Sequence, residues 1–368
     1  MAYPKWEDGL MDTLRVALIG AGKRAIQGYI PILKTMADQF QLVAIYDTDG
    51  EVAESVAQAH SIPAHTDLDS LFAEAIDFAI IAVPAHLNQH VGIEVAQYDV
   101  SFLLEPPIAV DLPSADQLSR LARIHNIKIE IAETYYRRPH EEMKRLLIRE
   151  GVFGRINFAY CRFVGHGYHA ISLLRSYIGF EIPPVRVSGF QNDFPVQPHI
   201  WPPGQPGHAT TERWQHGVIE FKGGQRGIYD FTSLSYGSPL RWNRTKATTE
   251  IYGEQGMCIG LEPVCLNGSA MSNKPIVIKR RTTEVDGVQV LDAYVVETEP
   301  EIVWENPFRQ YPLTDQQIGT ASCLASIANA VRNAAEPEYG LFNARTDREI
   351  DLALSWSYDR DGTPLDLL

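Results

Sequence analysis

The chain has 368 residues, 45% of them hydrophobic and 21% charged, with a formal net charge of −14. That length holds two domains with real cores, and that composition excludes a disordered chain. The acidic balance argues against a nucleic-acid or anionic-membrane surface, and no apolar run approaches a membrane span.

Met1 to Thr13 carries Glu7, Asp8 and Asp12 around no apolar core, so it does not read as a secretory signal. The four cysteines, Cys161, Cys258, Cys265 and Cys323, are scattered without ligand spacing; reduced thiols in a cytoplasmic protein are expected. Arg15-Val16-Ala17-Leu18-Ile19 is a short apolar run, the mark of a strand buried on both faces. Gly20-Ala21-Gly22-Lys23-Arg24-Ala25 follows at once, then helical spacing from Ile26 to Leu33. A second apolar run, Leu42 to Tyr46, closes on Asp47. Strand, glycine turn, helix, strand and acid stand in the order of a dinucleotide site. Gly20 permits the tight turn, Gly22 admits a pyrophosphate to the backbone, and small Ala25 packs helix on strand. Free N–H groups of Lys23, Arg24 and their neighbours at the helix start face phosphates. Asp47 is placed to accept from an adenosine ribose, which favours NAD because a 2′-phosphate beside it is repelled. Lys23 and Arg24 lie near enough in sequence to leave NADP open.

Apolar runs at Phe78–Val83, Ser101–Leu104 and Ile127–Ala132 alternate with helical patterns at Leu87–Tyr98 and Ser114–His125. Such alternation predicts an α/β domain with a doubly wound parallel sheet over about residues 12–149. Ligands of such sheets bind at the carboxyl ends of the strands. Ala82-Val83-Pro84 with His86 and His90, and Glu105 with Pro106 and Pro107, fall at those ends. Pro84, His90 and Glu105 are therefore candidate cofactor residues, Glu105 lying where a nicotinamide ribose would.

After Gly154 the texture changes. Ile156–Phe163, Val185–Phe194, Gln215–Phe221, Gly227–Ser233, Thr245–Tyr252 and Pro275–Lys279 read as strands joined by glycine turns. They predict an α+β domain over residues 150–368 with a large, mainly antiparallel sheet. One helix interrupts it, His169 to Ile178, and two close the chain near Asp315–Ala335 and Ala344–Tyr358, free to pack back on the first domain. Pro195 to Gly207 reads as a long loop, either a lid or plain surface. His166, His169, His199, His208 and His216 share one half of the chain, but their spacing matches no metal pattern.

Several of these stretches together resemble the Gfo/Idh/MocA family, the relatives of glucose–fructose oxidoreductase and inositol dehydrogenase. Gly20–Ala25 matches its nucleotide turn, Pro84–His90 its proline-to-histidine segment, and Glu105-Pro106-Pro107 its Glu-Lys-Pro. Tyr136-Arg137-Arg138-Pro139 is similar to the region leading into its domain-crossing helix, and Glu150–Arg155 to its link between domains. Gly167-Tyr168-His169, Leu173-Leu174-Arg175 and Gly179 resemble the helix of its catalytic histidine; Ile251–Gly256 and Asn343-Ala344-Arg345 also match. The resemblance implies an NAD(P)-dependent oxidoreductase acting on a sugar, cyclitol or similar small polyol, with His169 exchanging the hydroxyl proton. It also implies a homodimer or homotetramer built through the second sheet. Where the family has its lysine this chain has Pro106, and where it commonly has aspartates it has Gly165 and Ser172. His166, Tyr135 and Tyr136 are further candidates for proton handling, and Arg137 or Arg138 for binding an acidic substrate. The missing lysine also raises two rivals: a redox-neutral lyase or glycosidase that uses held NAD, and a non-catalytic nucleotide sensor.

Overall fold

A computed structural model of the chain describes residues 12–165, 167–201, 208–235, 238–241, 248–268 and 272–367. The chain divides into two units, Met1–Pro139 with Arg280–Tyr294 and Trp304–Arg348, and His140–Lys279 with Val295–Val303 and Glu349–Leu368.

The first unit is built on six strands, β1 (Leu14–Ile19), β2 (Phe40–Tyr46), β3 (Ala64–His65), β4 (Phe78–Ile81), β5 (Ser101–Leu104) and β6 (Ile129–Ile131). They lie in the order β3-β2-β1-β4-β5-β6, every neighbouring pair parallel. This is the open doubly wound sheet, with strand order reversing between β1 and β4. Its central strands are largely apolar because both faces are covered: all four residues of β4, Phe78–Ile81, are apolar and buried. Phe78, Ile80 and Ile81 each contribute about 1.5–3 kcal/mol relative to exposure. The connecting helices are α1 (Ile30–Thr35), α2 (Gly50–His60), α3 (Leu68–Phe72), α4 (Asn88–Val95) and α5 (Leu112–Ile124). Asp49, Asp67 and Asp111 cap α2, α3 and α5, accepting from free N–H groups of their first turns.

The segment after the glycine turn departs from the regular helix expected over Ile26–Leu33. Ala25–Tyr29 is a π-helical turn, closed by Ile30 N–H donating to Ala25 C=O, and α1 begins only at Ile30. Pro31 has no N–H, so the regular bond expected from that position cannot form and the helix widens before it.

The second unit opens with α6 (Pro139–Arg149), whose first residue belongs to the first unit, and continues with β7 (Ile156–Arg162) and α7 (Gly167–Ile178). Then come β8 (Pro184–His199), β9 (Ala209–Phe221), β10 (Arg226–Thr232), β11 (Thr248–Gly253), β12 (Gly256–Ile259), β13 (Glu262–Leu266) and β14 (Asn273–Pro275). With the short strand Leu365–Asp366 they form a nine-stranded sheet, antiparallel except where β10 meets β7. α7 buries Ala170–Arg175, Tyr177 and Ile178. The closing helices are α8 (Asp315–Asn333), which lies in the first unit, and α9 (Leu341–Tyr358), which the division cuts after Arg348.

Two expectations fail in this part. Pro195–His199 is not loop but the end of β8, paired with β9 up to His199↔Ala209 across a register shift. Its prolines are tolerated because the short strand on the other side of β8 pairs only Val187 and Arg186, which leaves this stretch an edge among the described residues. Residues 202–207 lie outside those described, as do 242–247 of the strand expected from Thr245. Pro275–Lys279 is two strands rather than one, β14 ending at Pro275 and the next beginning at Ile278.

A buried ion pair anchors α6 in this unit. Lys144, 1% exposed, lies 2.6 Å from the Glu141 carboxylate, which also accepts from Tyr177 Oη and Thr249 Oγ1. Burial disfavours the charged Glu141, but Lys144 and His140 outweigh it and hold the carboxyl well below the ordinary glutamate range. A lowered folded pKa means stability that is present above the unfolded value and lost as pH falls through and below about 4.3. Urea unfolding followed from neutral pH downward should show that acid loss. Glu141→Gln should flatten it while costing about 3–5 kcal/mol at neutrality, because Lys144 is left buried without its charge partner. An unchanged acid limb refutes the assignment.

Candidate functional site

The carboxyl edge of the first sheet gathers the candidate cofactor residues. Gly20 follows β1 with φ +97°, and its N–H donates to Tyr46 C=O over 2.8 Å. A Cβ at Gly20 would stand 2.6 Å from Ala82 C=O at the end of β4, so strand and turn approach as only glycine allows. At Gly22 a Cβ would meet nothing within 4 Å. Gly22 is thus exposed beside open space at the head of the helix, the shape a pyrophosphate needs to reach the backbone. Ala25 is fully buried behind it. Asp47, at the end of β2, accepts from Ala21 N–H (2.8 Å) through Oδ2 and from Asp49 N–H (3.0 Å) through Oδ1. The acid therefore braces the turn, and each carboxylate oxygen keeps a lone pair for a ribose hydroxyl.

Arg24 does not share that end of the site. Its Nε donates to Glu105 Oε1 over 2.8 Å, and its guanidinium lies 4.8 Å from the Tyr29 ring centre. Burial works against the charged guanidinium, but Tyr29 and Glu105 outweigh it and raise the pKa above the usual arginine range. Arg24 is thereby committed to the β5 end, and of the two cations only exposed Lys23 could swing toward a 2′-phosphate. Asn88, fully buried at the start of α4, donates through Nδ2 to Glu105 C=O (2.7 Å) and Pro107 C=O (3.1 Å). Pro106 is half-buried between them. Pro84 caps the turn after β4 and is exposed, as are His86 and His90. Neither Asn88 nor Tyr29 was legible as a site residue. An asparagine between two histidines carries no periodic signal, and Tyr29 reads as an ordinary core aromatic.

In the second unit His169 stands in the first turn of α7, half-buried, its ring 4.5 Å from that of Tyr168. Ser172, in the place of a family aspartate, donates to His169 C=O and serves the helix backbone. The structure brings a different carboxylate to this helix start: a Cβ at Gly167 would lie 2.7 Å from Asp351 Oδ1 of α9 and 3.4 Å from Tyr229 Oη, which pairs with Tyr358 Oη. No sequence signal pointed to Asp351, which is about 180 residues away and on another helix. His166 lies outside the described residues.

Tyr136 is a correction. It is 1% exposed, packs on Tyr339, and accepts a hydrogen bond from Arg137 Nε over 3.0 Å, so substrate does not reach its phenol. Arg137 is likewise fully buried, bonded to Glu130 and Ser322 C=O, which makes it a core ion pair rather than a substrate ligand. Arg138 stacks over Tyr135 at 3.9 Å. Among the described residues no group of three or more His, Cys, Asp or Glu could hold a metal ion. None of the described helices is long and apolar enough to cross a membrane.

A glycine turn, helix start and strand-end acid in this arrangement, on a parallel sheet of this order, define a dinucleotide-binding Rossmann protein. Residues 14–132 match the family described as oxidoreductase family, NAD-binding Rossmann fold. That family is the Gfo/Idh/MocA oxidoreductases, and the chain is similar to it over those residues. Over 150 residues it is 27% identical to an Amycolatopsis mediterranei protein named for the oxidoreductase subunit of UDP-kanosamine synthase, a match covering 41% of this chain and 42% of that one. Over 159 residues it is 24% identical to 2,7-anhydro-N-acetylneuraminate hydratase of Mediterraneibacter gnavus, covering 43% and 41%. The chain thus matches less than half the length of these curated relatives. Solved structures share the whole fold. The WlbA dehydrogenase of Bordetella pertussis, in complex with NADH and UDP-GlcNAcA, aligns over 97% of this chain and 99% of its own, with TM-score 0.67 and 18% identity. An oxidoreductase of Agrobacterium radiobacter, in complex with NAD+, L-tartaric acid and magnesium, aligns over 96% and 98%, with TM-score 0.70 and 15% identity.

Proposed function

We propose that the chain is an NAD-dependent oxidoreductase working between nicotinamide and a carbinol carbon, or its carbonyl, of a sugar, cyclitol or related small polyol. The cradle carries this reading: Gly22 opens on free space at a helix start while Asp47 closes the ribose end. The residues present fit the cofactor. Backbone N–H groups after Gly22 would hold the pyrophosphate, Asp47 the adenosine ribose and Glu105 the second ribose. Bound NAD supplies the hydride chemistry that no side chain here provides. His169 takes or returns the proton at the substrate hydroxyl, a task suited to imidazole near neutrality. Neighbours solved with UDP-GlcNAcA and with tartaric acid support hydroxylated, acidic substrates among those to try first. A homodimer or homotetramer through the nine-stranded sheet and a cytoplasmic setting complete the proposal; light scattering on the purified chain tests the first. Titration calorimetry with NADH, followed by a polyol and nucleotide-sugar panel read at the nicotinamide absorbance, tests the activity. Absence of NADH binding ends the reading.

NAD preference rests on Asp47. Asp47→Ala should shift the NAD-to-NADP affinity ratio by roughly tenfold or more toward NADP, through the lost ribose hydrogen bond and the lost repulsion of a 2′-phosphate. Because Asp47 also braces Ala21, both affinities should fall somewhat. An equal fall for both cofactors means the acid serves only the turn.

A redox-neutral use of NAD is the second reading, favoured by the relative named as a hydratase and by Pro106, which has no side-chain proton to exchange. Pro106→Lys separates the two. If the native protein has left ordinary alcohol oxidation, the added ammonium should raise net NADH formation with polyols on the order of tenfold or more. If the native protein is a net dehydrogenase, the same change should not create a new activity.

A further inference from the structure

Three side chains converge on Glu105 in a way that nucleotide binding by the glycine turn does not require. Arg24 Nε and Tyr29 Oη both donate to the same carboxylate oxygen, Oε1. Tyr29 is fully buried, and burial with the adjoining Glu105 pushes its phenol well above its ordinary pKa, so it stays a donor throughout the working range. The third is Asn88, whose two bonds fix the backbone carbonyls on either side of Pro106. Those carbonyls demand the N–H side of the amide, which settles the orientation of the Asn88 carboxamide. Glu105 is thus held at its head and at its main chain, and its side chain is still 18% exposed.

A carboxylate oxygen accepts about two hydrogen bonds. Arg24 and Tyr29 fill Oε1, so the acceptor capacity of Glu105 is concentrated on Oε2. Two acceptor sites on one fixed oxygen, at the carboxyl end of β5, suit a pair of neighbouring hydroxyls. We infer that Arg24, Tyr29 and Asn88 are positioning residues that turn Glu105 into a one-sided acceptor for the vicinal hydroxyls of the ribose next to the nicotinamide. Arg24 then serves the far half of the dinucleotide rather than its phosphates, although it sits in the phosphate turn. This rests on the dinucleotide reading above and adds which residues select a ligand that continues beyond the pyrophosphate.

The test compares ligands of increasing length by calorimetry on the full chain: ADP, which stops at the pyrophosphate, then ADP-ribose and NADH, which carry the second ribose. Arg24→Met should weaken ADP-ribose and NADH about 10- to 100-fold, the range of a lost charge-assisted hydrogen bond, while ADP changes less than about threefold. Tyr29→Phe should show the same selectivity with a smaller loss, and Glu105→Gln should reproduce it without touching the turn. Arg24→Lys should recover part of the loss, since it restores charge but not the planar donor. Thermal melts accompany each variant, and the ADP titration itself reports a turn that has collapsed. Equal weakening of ADP and NADH overturns the inference, as does no weakening of either. Failure of the wild type to bind NADH at all is a different result, which sinks the dinucleotide reading first.

Discussion

Gly22→Leu is expected to abolish dinucleotide binding and leave the fold intact. The two effects separate because a Cβ at this position meets no protein atom within 4 Å. The added side chain therefore occupies only the space beside the turn, which is where the pyrophosphate must approach the backbone. NADH affinity should drop at least about 100-fold, equivalent to roughly 2.7 kcal/mol, with a melting temperature close to wild type. Gly20→Ala should behave in the opposite way. Its φ of +97° is a conformation that L residues rarely adopt, and its Cβ would press to 2.6 Å on Ala82 C=O. Left-handed backbone alone costs about 1–2 kcal/mol, and the contact with main chain cannot be relieved by turning a side chain. Gly20→Ala should therefore lower the melting temperature by several degrees, on the order of 2–4 °C per kcal/mol for a domain of this size. If Gly22→Leu binds NADH normally, the open space beside it is not the phosphate site.

The first domain was legible because its signals are local. A buried parallel strand is a continuous apolar run, and β4, β5 and β6 lie within the runs read for them, while β1 and β2 start earlier, at Leu14 and Phe40. The glycine turn and Asp47 are separated by one crossover, so their meeting follows from the handedness and order of strand, helix and strand. Three placements were not legible, each because it depends on a contact between distant segments. Arg24 reads as a phosphate-turn cation, and only the structure turns its guanidinium to Glu105, 81 residues away. Tyr136 sits in a stretch that resembles a functional region, yet its ring is buried in the core against Tyr339. Asp351 reaches the start of α7 from the last helix, at a position no periodicity marks. The failed loop at Pro195–His199 has another cause. Proline signals a break only where a strand has neighbours on both sides, and this end of β8 is an edge.

His169→Ala is expected to remove turnover while sparing the cofactor. The histidine is held by α7, whose following residues from Ala170 to Arg175 are buried, so the helix does not depend on the imidazole for its place. Its ring touches Tyr168, and the neighbouring Ser172 is bonded to its carbonyl rather than its side chain. Removing the ring takes away a group that can exchange a proton, while the buried residues that follow it hold α7. Such groups supply about 100- to 10,000-fold in rate, and that is the expected fall in kcat, with kcat/KM following it. NADH affinity should stay within about threefold, because every residue proposed to hold the cofactor belongs to the first unit. Asp351→Asn gives the companion measurement. The Asp351 carboxylate lies at the helix start rather than on the imidazole, so its neutralisation should lower kcat less than His169→Ala does. If His169→Ala keeps most of its turnover, proton exchange belongs to another group, and the search moves to the residues preceding α7, His166 first.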